Sequence, residues 1–441
     1  MKKVYCLLLI ALFGVALPAT GAAKVYIDIS SPFATRLPIA IPNFKNTGTR
    51  PDSETISTKM AAVISQDLDM SGFFRVLDAS AISQDPAASG LTASTVKWDT
   101  WTMIGTETLV TGGFSVSGTD LVVEIRLFDA VQRQLIVGKR YSGKVSDSRL
   151  IAHKFSNEVF KILSGEESIF ETKIAFVKNM GGSSDIYIMD FDGAHPEIIT
   201  AYNSLTLCPA WSRDGKKIAF TSYKDENPDL YIKDISTGKT ERISHKKGIN
   251  ITPSWSPDGK KIALTLSLNN GNSEIYLLDI SSRELERLTD DWATDVSPSW
   301  SPDGREIAFV SSRSGNPQVY IMEVQSKKVR RITFEGSYNT SPDWSPRGNK
   351  IVYAGQQGST FNIFTISTDG TQFQQLTHNQ GKNEDPSWSP DGRFIAFSSS
   401  RTGKKEIYIM RADGTGQKKI TSGGGEKISP AWSPSLNKQG N

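Results

Sequence analysis

The sequence predicts an all-β six-bladed β-propeller preceded by a smaller N-terminal α/β domain, and three observations predict it. Pro-x-Trp-Ser recurs six times, with Trp211, Trp255, Trp300, Trp344, Trp388 and Trp432 spaced 44 or 45 residues apart. Four short strands and their turns occupy an interval of that size. Two other features keep the same period: an Ile-led apolar triplet (Ile174, Ile218, Ile262, Ile307, Ile351, Ile395) and an aromatic β-forming run (Tyr187, Tyr231, Tyr276, Tyr320, Phe364, Tyr408). Finally, Ile174-Ala175-Phe176 has no Pro-x-Trp before it, and Trp432 has no such triplet after it. The two orphans complete one blade, so the strand around Pro430–Ser433 is expected to pair with residues 173–200, closing the ring and removing two exposed sheet edges.

Residues 253–289 serve as the type repeat. Pro253-Ser254-Trp255-Ser256 reads as a first strand and Pro257-Asp258-Gly259 as a tight turn, because proline presets φ and glycine accepts positive φ. Ile262-Ala263-Leu264 marks the second strand. Glu274–Asp279, rich in β-formers, is the third after the polar loop 269–272, and the fourth ends at Arg287-Leu288-Thr289. Nothing in the array sustains a helical period.

Upstream, Lys2-Lys3, the apolar run Val4–Leu17, Pro18 and the small residues Gly21-Ala22-Ala23 read as a cleavable export leader, residues 1–23, too short to span a bilayer comfortably. Residues 24–165 then form an α/β domain. Leu37–Phe44 reads as a strand, and a helix from Ser53 or Glu54 puts Ile56, Met60, Val63 and Leu68 on one face. Phe73–Leu77 is a short strand, and Leu109–Val116, Leu121–Asp129 and Gln134–Tyr141 form a meander. A second helix, N-capped at Ser146-Asp147, is expected to bury Ile151, Phe155, Val159 and Ile162 and to stop at Gly165. Residues 166–172 are the linker, 173–436 the propeller and 437–441 a tail. The net charge is +3, and losing Lys2 and Lys3 with the leader lowers it to +1, so nothing in it argues for nucleic acid or an anionic membrane surface as partner, and neither is expected.

Motifs for catalysis are missing from the chain. It has no Gly-x-Ser-x-Gly, His-Glu-x-x-His, Cys-x-x-Cys or phosphate-binding glycine loop. His153, His195, His245 and His378 are scattered and are expected to be solvent-facing or turn residues. Cys6 leaves with the leader, so Cys208 stands alone as a structural thiol. The repeated Trp residues are expected to pack between blades, and Asp258, Asp303 and Asp391 to form turns. No cofactor or metal is expected, and no hydrolase domain after Trp432.

The loops joining one blade to the next differ from one another. Ser244–Thr252, Asp290–Ser297, Phe334–Ser341 and His378–Asp385 are long, and Trp292, Phe334 and Tyr338 have no part in the repeat. Exposed aromatics on a rigid disc are common interface anchors, although packing beneath the loop fits the pattern equally well. Asp291, Asp295, Glu384 and Asp385 are expected around the same rim, mostly solvated. At the start of the mature chain Val25, Tyr26, Ile27, Asp28 and Ile29 alternate. Such a strand suits either a partner's sheet edge or an edge of its own domain.

The unit Ser-Pro-Asp-Gly-x-x-Ile-Ala-Phe…Ile-Tyr-Ile-Met-Asp…Leu-Thr, together with the leader, the α/β domain, the six blades and the closing Trp-Ser-Pro, resembles the TolB family of the Tol–Pal system. The resemblance covers residues 1–436. It implies a monomeric, non-enzymatic periplasmic scaffold between a TolA-like inner-membrane protein and a Pal-like peptidoglycan-associated lipoprotein, serving outer-membrane integrity and constriction at division. It further implies that the Pal-like partner docks over the positions just before each Pro-x-Trp. Those include Ile249, Thr252, Asp295, Val296, Ser297, Thr340, Ser341, Glu384 and Asp385, flanked by Trp292, Phe334 and Tyr338. Residues 24–30 correspond to the TolA contact. A secreted propeller enzyme of lactonase or polysaccharide-lyase type, with a metal in the channel, is the alternative.

Overall fold

The computed structural model describes residues 36–52, 55–78, 90–268 and 271–436. The expected leader, the strand at 24–30, the helix start at Ser53 or Glu54, the loop tip Asn269-Asn270 and the tail at 437–441 lie outside those residues. The N-terminal domain runs β1 (Leu37–Ala40), β2 (Lys45–Asn46), α1 (Ile56–Ser71), β3 (Phe74–Leu77), α2 (Trp98–Met103), β4 (Thr108–Ser117), β5 (Asp120–Asp129), β6 (Gln134–Lys144) and α3 (Ser148–Ser164). Its sheet has the order β3-β1-β4-β5-β6, with β1 parallel to both neighbours and β4, β5 and β6 forming the antiparallel meander.

Leu121, Val123, Ile125 and Leu127 of β5 point to one side of the sheet and are fully buried under α1 and α3. Helix α1 buries Ile56, Met60, Val63 and Leu68, and α3 buries Ile151, Phe155 and Val159. At the last turn of α3 the expectation needs correcting: Leu163 is buried and Ile162 only half-buried. Gly165 ends the helix at φ 75°, a left-handed cap that a side chain would strain. The six-residue α2 has too few turns to show a helical period in the sequence. It seats Trp98 and Trp101 in a separate small core with Leu109 and Phe128. His153, expected at the surface, is buried on α3 with its Nδ1 2.8 Å from Asp67 Oδ2 of α1.

Six four-stranded sheets follow. Blade I is made of Glu426–Trp432, Lys173–Asn179, Ser184–Asp190 and Glu197–Ile198, in that spatial order, so the C-terminal strand supplies its innermost position. Blades II to VI begin with the inner strands Thr206–Trp211, Asn250–Trp255, Asp295–Trp300, Tyr338–Trp344 and Asn383–Trp388. Closure repeats a bond found within the other blades. Lys217 N–H donates to Ser212 Oγ and Lys261 N–H to Ser256 Oγ, and Lys173 N–H donates likewise to Ser433 Oγ, at 2.9 Å in each case.

The repeated aromatics work between strands and between blades. Phe220–Tyr231, Phe309–Tyr320, Tyr353–Phe364 and Phe397–Tyr408 face each other across strands two and three. Trp344 packs with Ala308, Val319 and Ile321 of the preceding blade, as Trp388 does with Val352 and Ala354. Trp211, Trp255 and Trp388 each donate Nε1–H to an inner-strand carbonyl of the blade before, at 3.1 Å. In the Ser-x-Asp-Gly turns the aspartates accept from their serine: Asp258 and Asp303 at 2.6 and 2.7 Å, Asp391 at 2.5 Å.

The N-terminal domain sits on this turn-bearing face. Glu166 of the linker pairs with Arg393 and Arg347, Arg411 donates to Met70 O at the end of α1, and Arg149 of α3 pairs with Asp192. The opposite face is left uncovered among the described residues.

Candidate partner-docking face

The uncovered face is built from two sets of loops, those between strands two and three and those between blades, and they bond to each other. Asn227 Nδ2 donates to Lys246 O at 3.0 Å, and Asn272 Nδ2 donates to Asp291 O at 2.7 Å and Ala293 O at 3.1 Å. Each inner strand starts here and lays down three rings around the channel mouth.

The outermost ring is polar and buried: Thr206, Asn250, Asp295, Asn339, Asn383 and Lys427. These residues are sockets for the loops. Asn250 accepts from Ser244 Oγ at 2.6 Å and donates to Lys246 O at 2.7 Å, and Lys427 pairs with Glu406 at 3.1 Å. The second ring is half-buried: Leu207, Ile251, Val296, Thr340, Glu384 and Ile428. The third ring is Cys208, Thr252, Ser297, Ser341, Asp385 and Ser429, each just before a proline and each with φ between 49° and 56°. A left-handed residue followed by proline forces a bulge, seen as the same register break in all six inner strands. Non-glycine residues in that region cost about 1–3 kcal/mol each, so the neighbouring structure holds the rings in place.

The rings open into a central channel of about 350 Å³ whose lining includes Cys208, Asp343 and Asp385. Burial pushes Asp343 up to about 6, although Trp388 N–H (2.7 Å) and Ser299 Oγ–H (3.3 Å) donate to its carboxylate. Burial also raises Asp385, against the donors on Ser429. The Cys208 thiol is raised to about 11 by burial, with the charge of Asp385 adding to it, which keeps it protonated and unreactive. Among the described residues no three His, Cys, Asp or Glu side chains come together to hold a metal ion, and no helix is long and apolar enough to cross a membrane.

The residues expected at this site fall into three groups. Trp292 is 79% exposed, Phe334 68% and Tyr338 40%. Arg331 lies 4.9 Å over the Phe334 ring, and Tyr338 meets Phe361 edge-on at 5.7 Å. Ile249, Thr252, Val296, Ser297, Thr340, Ser341, Glu384 and Asp385 are half-buried at the mouth. Asp295 is a correction. It is fully buried and bonded to Arg313 Nη2 at 2.8 Å, so it stands beneath the face as a socket. Nor are the other acidic groups freely solvated: Asp291 also meets Arg313, at 3.7 Å, and Glu384 pairs with Lys405 at 2.5 Å. Leu207, Ile251 and Ile428 complete the second ring and were not singled out from the sequence, although the Pro-x-Trp period marks them directly. The alternating strand at 24–30 lies outside the described residues.

Residues 160–437 match the model of the TolB beta propeller domain, and residues 25–136 that of the TolB amino-terminal domain. The chain belongs to the TolB family. It is 42% identical over 212 residues to the Tol-Pal system protein TolB of Desulfosudis oleivorans, covering 48% of each chain. To the protein TolB homolog of Chlorobium chlorochromatii it is 39% identical over 221 residues, again 48% of each. The chain thus spans about half the length of the curated relatives it matches. The crystal structure of TolB from Acinetobacter baumannii superposes with a TM-score of 0.79 at 28% identity, over 93% of this chain and all of that one.

Proposed function

We propose that this TolB-family protein is a non-enzymatic periplasmic scaffold that docks a Pal-like lipoprotein domain on the mouth face of its propeller. A TolA-like inner-membrane protein is taken by the segment 24–30. In that role it serves outer-membrane integrity and constriction at division. One observation carries the reading: of the two faces of the disc, one is occupied by the N-terminal domain, and the other presents Trp292, Phe334 and Tyr338 beside a stepped, half-apolar mouth. Exposed aromatics on a stiff support are the usual energetic centres of protein interfaces. The names of the relatives, Tol-Pal system protein TolB, support the assignment.

The test is a pull-down of a Pal-like domain with purified protein. Trp292→Ala combined with Val296→Asp is expected to abolish capture while the propeller still melts cooperatively. Undiminished capture would remove the mouth face from the interface. Deleting residues 24–30 is expected to abolish capture of the TolA-like protein and spare that of the Pal-like domain. Loss of both would refute the division of roles.

A further inference from the structure

Two hairpins of the mouth face hold the loop beside them, and two others leave it free. In blades II and III the residue four before the aromatic of strand three is an asparagine. Asn227 donates to Lys246 O and Asn272 to Asp291 O, each holding the next loop. The matching residues in blades VI and I are Lys404 and Ser183, and the side chain of neither holds a loop.

There the rim is almost bare of side chains. The hairpin of blade I is Met180-Gly181-Gly182-Ser183, and the loop entering its inner strand is Ser422-Gly423-Gly424-Gly425. The two touch: a Cβ on Gly425 would lie 2.7 Å from Asn179 O and 2.8 Å from Met180 Sδ. Gly182 and Gly424 are exposed, and their N–H and C=O groups bond to no other described residue. Met180 is 63% exposed and Leu205, on the loop leaving blade I, 40%. Ser184 N–H donates to Ser204 O at 3.0 Å and ties hairpin to loop. Leu207 and Ile428, both half-buried, stand inward of them on the adjoining inner strands. In a ring of six the seam between blades VI and I lies across the channel from the seam between blades III and IV, where Trp292 stands.

We propose that this bare saddle is a second contact of the mouth face, taking an extended segment of the docked Pal-like domain that lays an apolar side chain against Met180 and Leu205. The inference rests on the mouth face being the docking face, and it makes the partner span the channel from Trp292 to the saddle. Three features fit that occupant. Glycines without side chains let a second backbone approach closely. The unbonded groups of Gly182 and Gly424 offer that backbone donors and acceptors. Met180, unbranched and adaptable, packs against an apolar side chain of irregular shape, and Leu207 and Ile428 carry the apolar track on to the channel mouth.

The test is titration calorimetry of the full chain with a Pal-like domain. Neither Gly182 nor Gly424 has a positive φ, and a Cβ at either meets nothing within 4 Å. Gly182→Glu with Gly424→Glu therefore obstructs the saddle without disturbing the fold. Docking is expected to weaken about tenfold or more at an unchanged melting temperature. Met180→Ala with Leu205→Ala is expected to weaken it about fivefold. Amide exchange at residues 181–183 and 423–425 is expected to slow on docking. Wild-type affinity in the glycine double variant would overturn the proposal, as would exchange there that docking leaves unchanged. If the wild-type chain alone sediments as a dimer and the glycine variant as a monomer, a second copy is the occupant and the proposal falls. Trp292→Ala with Val296→Asp keeps the two readings apart. Docking lost in that variant but kept in the glycine variant refutes the saddle alone, whereas no docking by the wild type refutes both.

Discussion

The two faces of the propeller are made by the same six repeats and differ in what the repeats are allowed to vary. On the turn face the Ser-x-Asp-Gly hairpins are nearly uniform, and one departure from uniformity touches the linker to the other domain. Arg347 stands where four other blades have Asp214, Asp258, Asp303 and Asp391, and it reaches Glu166 of the linker and Asp391 O of the neighbouring turn. On the mouth face the inner-strand rings are uniform in geometry, with six left-handed pre-proline residues, and their side chains vary freely. The comparison teaches that in this fold a break in the period can mark a place where the blade meets something other than the next blade, as Arg347 does. On the turn face that something is visible as the N-terminal domain. On the mouth face it is inferred from Trp292, Phe334 and Tyr338.

The most severe way to break this comparison is to break the disc that separates the faces. Truncation after Gly425 removes the strand Glu426–Trp432, the bonds of Ser433 to Lys173, and the bond from Trp432 Nε1 to Thr172 Oγ1 at 2.8 Å. Cooperative thermal unfolding of the propeller is expected to be lost, as measured by circular dichroism. The milder Trp432→Ala removes a buried aromatic and should cost about 3–5 kcal/mol. A truncated chain that melts like the full one would show that the ring is not closed in this way.

The turn face is sharpened by Arg393→Ala. Arg393 pairs with Glu166 and lies over the rings of Phe73 and Phe160 at 4.9 and 5.3 Å, so one side chain ties linker, α/β domain and blade VI together. Glu166 retains some contact with water, so the loss is expected at about 2–3 kcal/mol, below that of a fully buried pair. The readout is faster proteolysis of the linker with the propeller strands still protected. Proteolysis unchanged from the wild type would remove Arg393 from the clamp.

How much of this was legible follows from the same logic of periods. Blade number, closure, the inter-blade Trp packing and the turns were readable because each is repeated five or six times at a fixed interval. Helix α1 and the meander were readable from their apolar spacing. Asp295 was misjudged as a rim carboxylate because it was considered alone. Aligned by the period it shares a column with Thr206, Asn250, Asn339, Asn383 and Lys427, all polar and all buried, which is the signature of a socket. The burial of His153 was not legible, because its partner Asp67 lies 86 residues away on another helix. Short α2 gave no periodic signal at all.

On the mouth face the contrast is between Trp292 and Asp295, three residues apart. Trp292→Ala is expected to leave thermal stability within about 0.5 kcal/mol, because the side chain is 79% exposed. It should weaken docking of a Pal-like domain by about 2 kcal/mol, measured by titration calorimetry. Asp295→Ala should do the reverse. It takes away the 2.8 Å partner of Arg313 Nη2, which keeps only Asp291 and Ser311 as polar partners, costs about 2 kcal/mol of stability, and affects docking only through the loop it holds. If both variants lost binding and stability together, face and socket would not be separable.

The smallest effect is the most specific to the inner wall. Asp343 occupies the position after the proline that is Ser254, Ser299 or Ser387 in other blades, and burial moves it from the ordinary carboxylate value to about 6. Its folded affinity for a proton exceeds its unfolded affinity. Its favourable contribution is therefore fully present below about pH 4 and is lost as pH rises through about 6. Asp343→Asn should erase that slope. An asparagine oxygen can still accept from Trp388 N–H, and its amide can donate to Ser299 Oγ, so both bridges between blades survive. The full shift sets an upper bound of about 3 kcal/mol, and water in the channel reduces the expected gain at neutral pH to about 1 kcal/mol. Denaturant titrations at pH 4.5 and 7 distinguish the outcomes. A variant less stable than the wild type at pH 7 would mean that the charge itself, and not only its hydrogen bonds, holds blades IV, V and VI together.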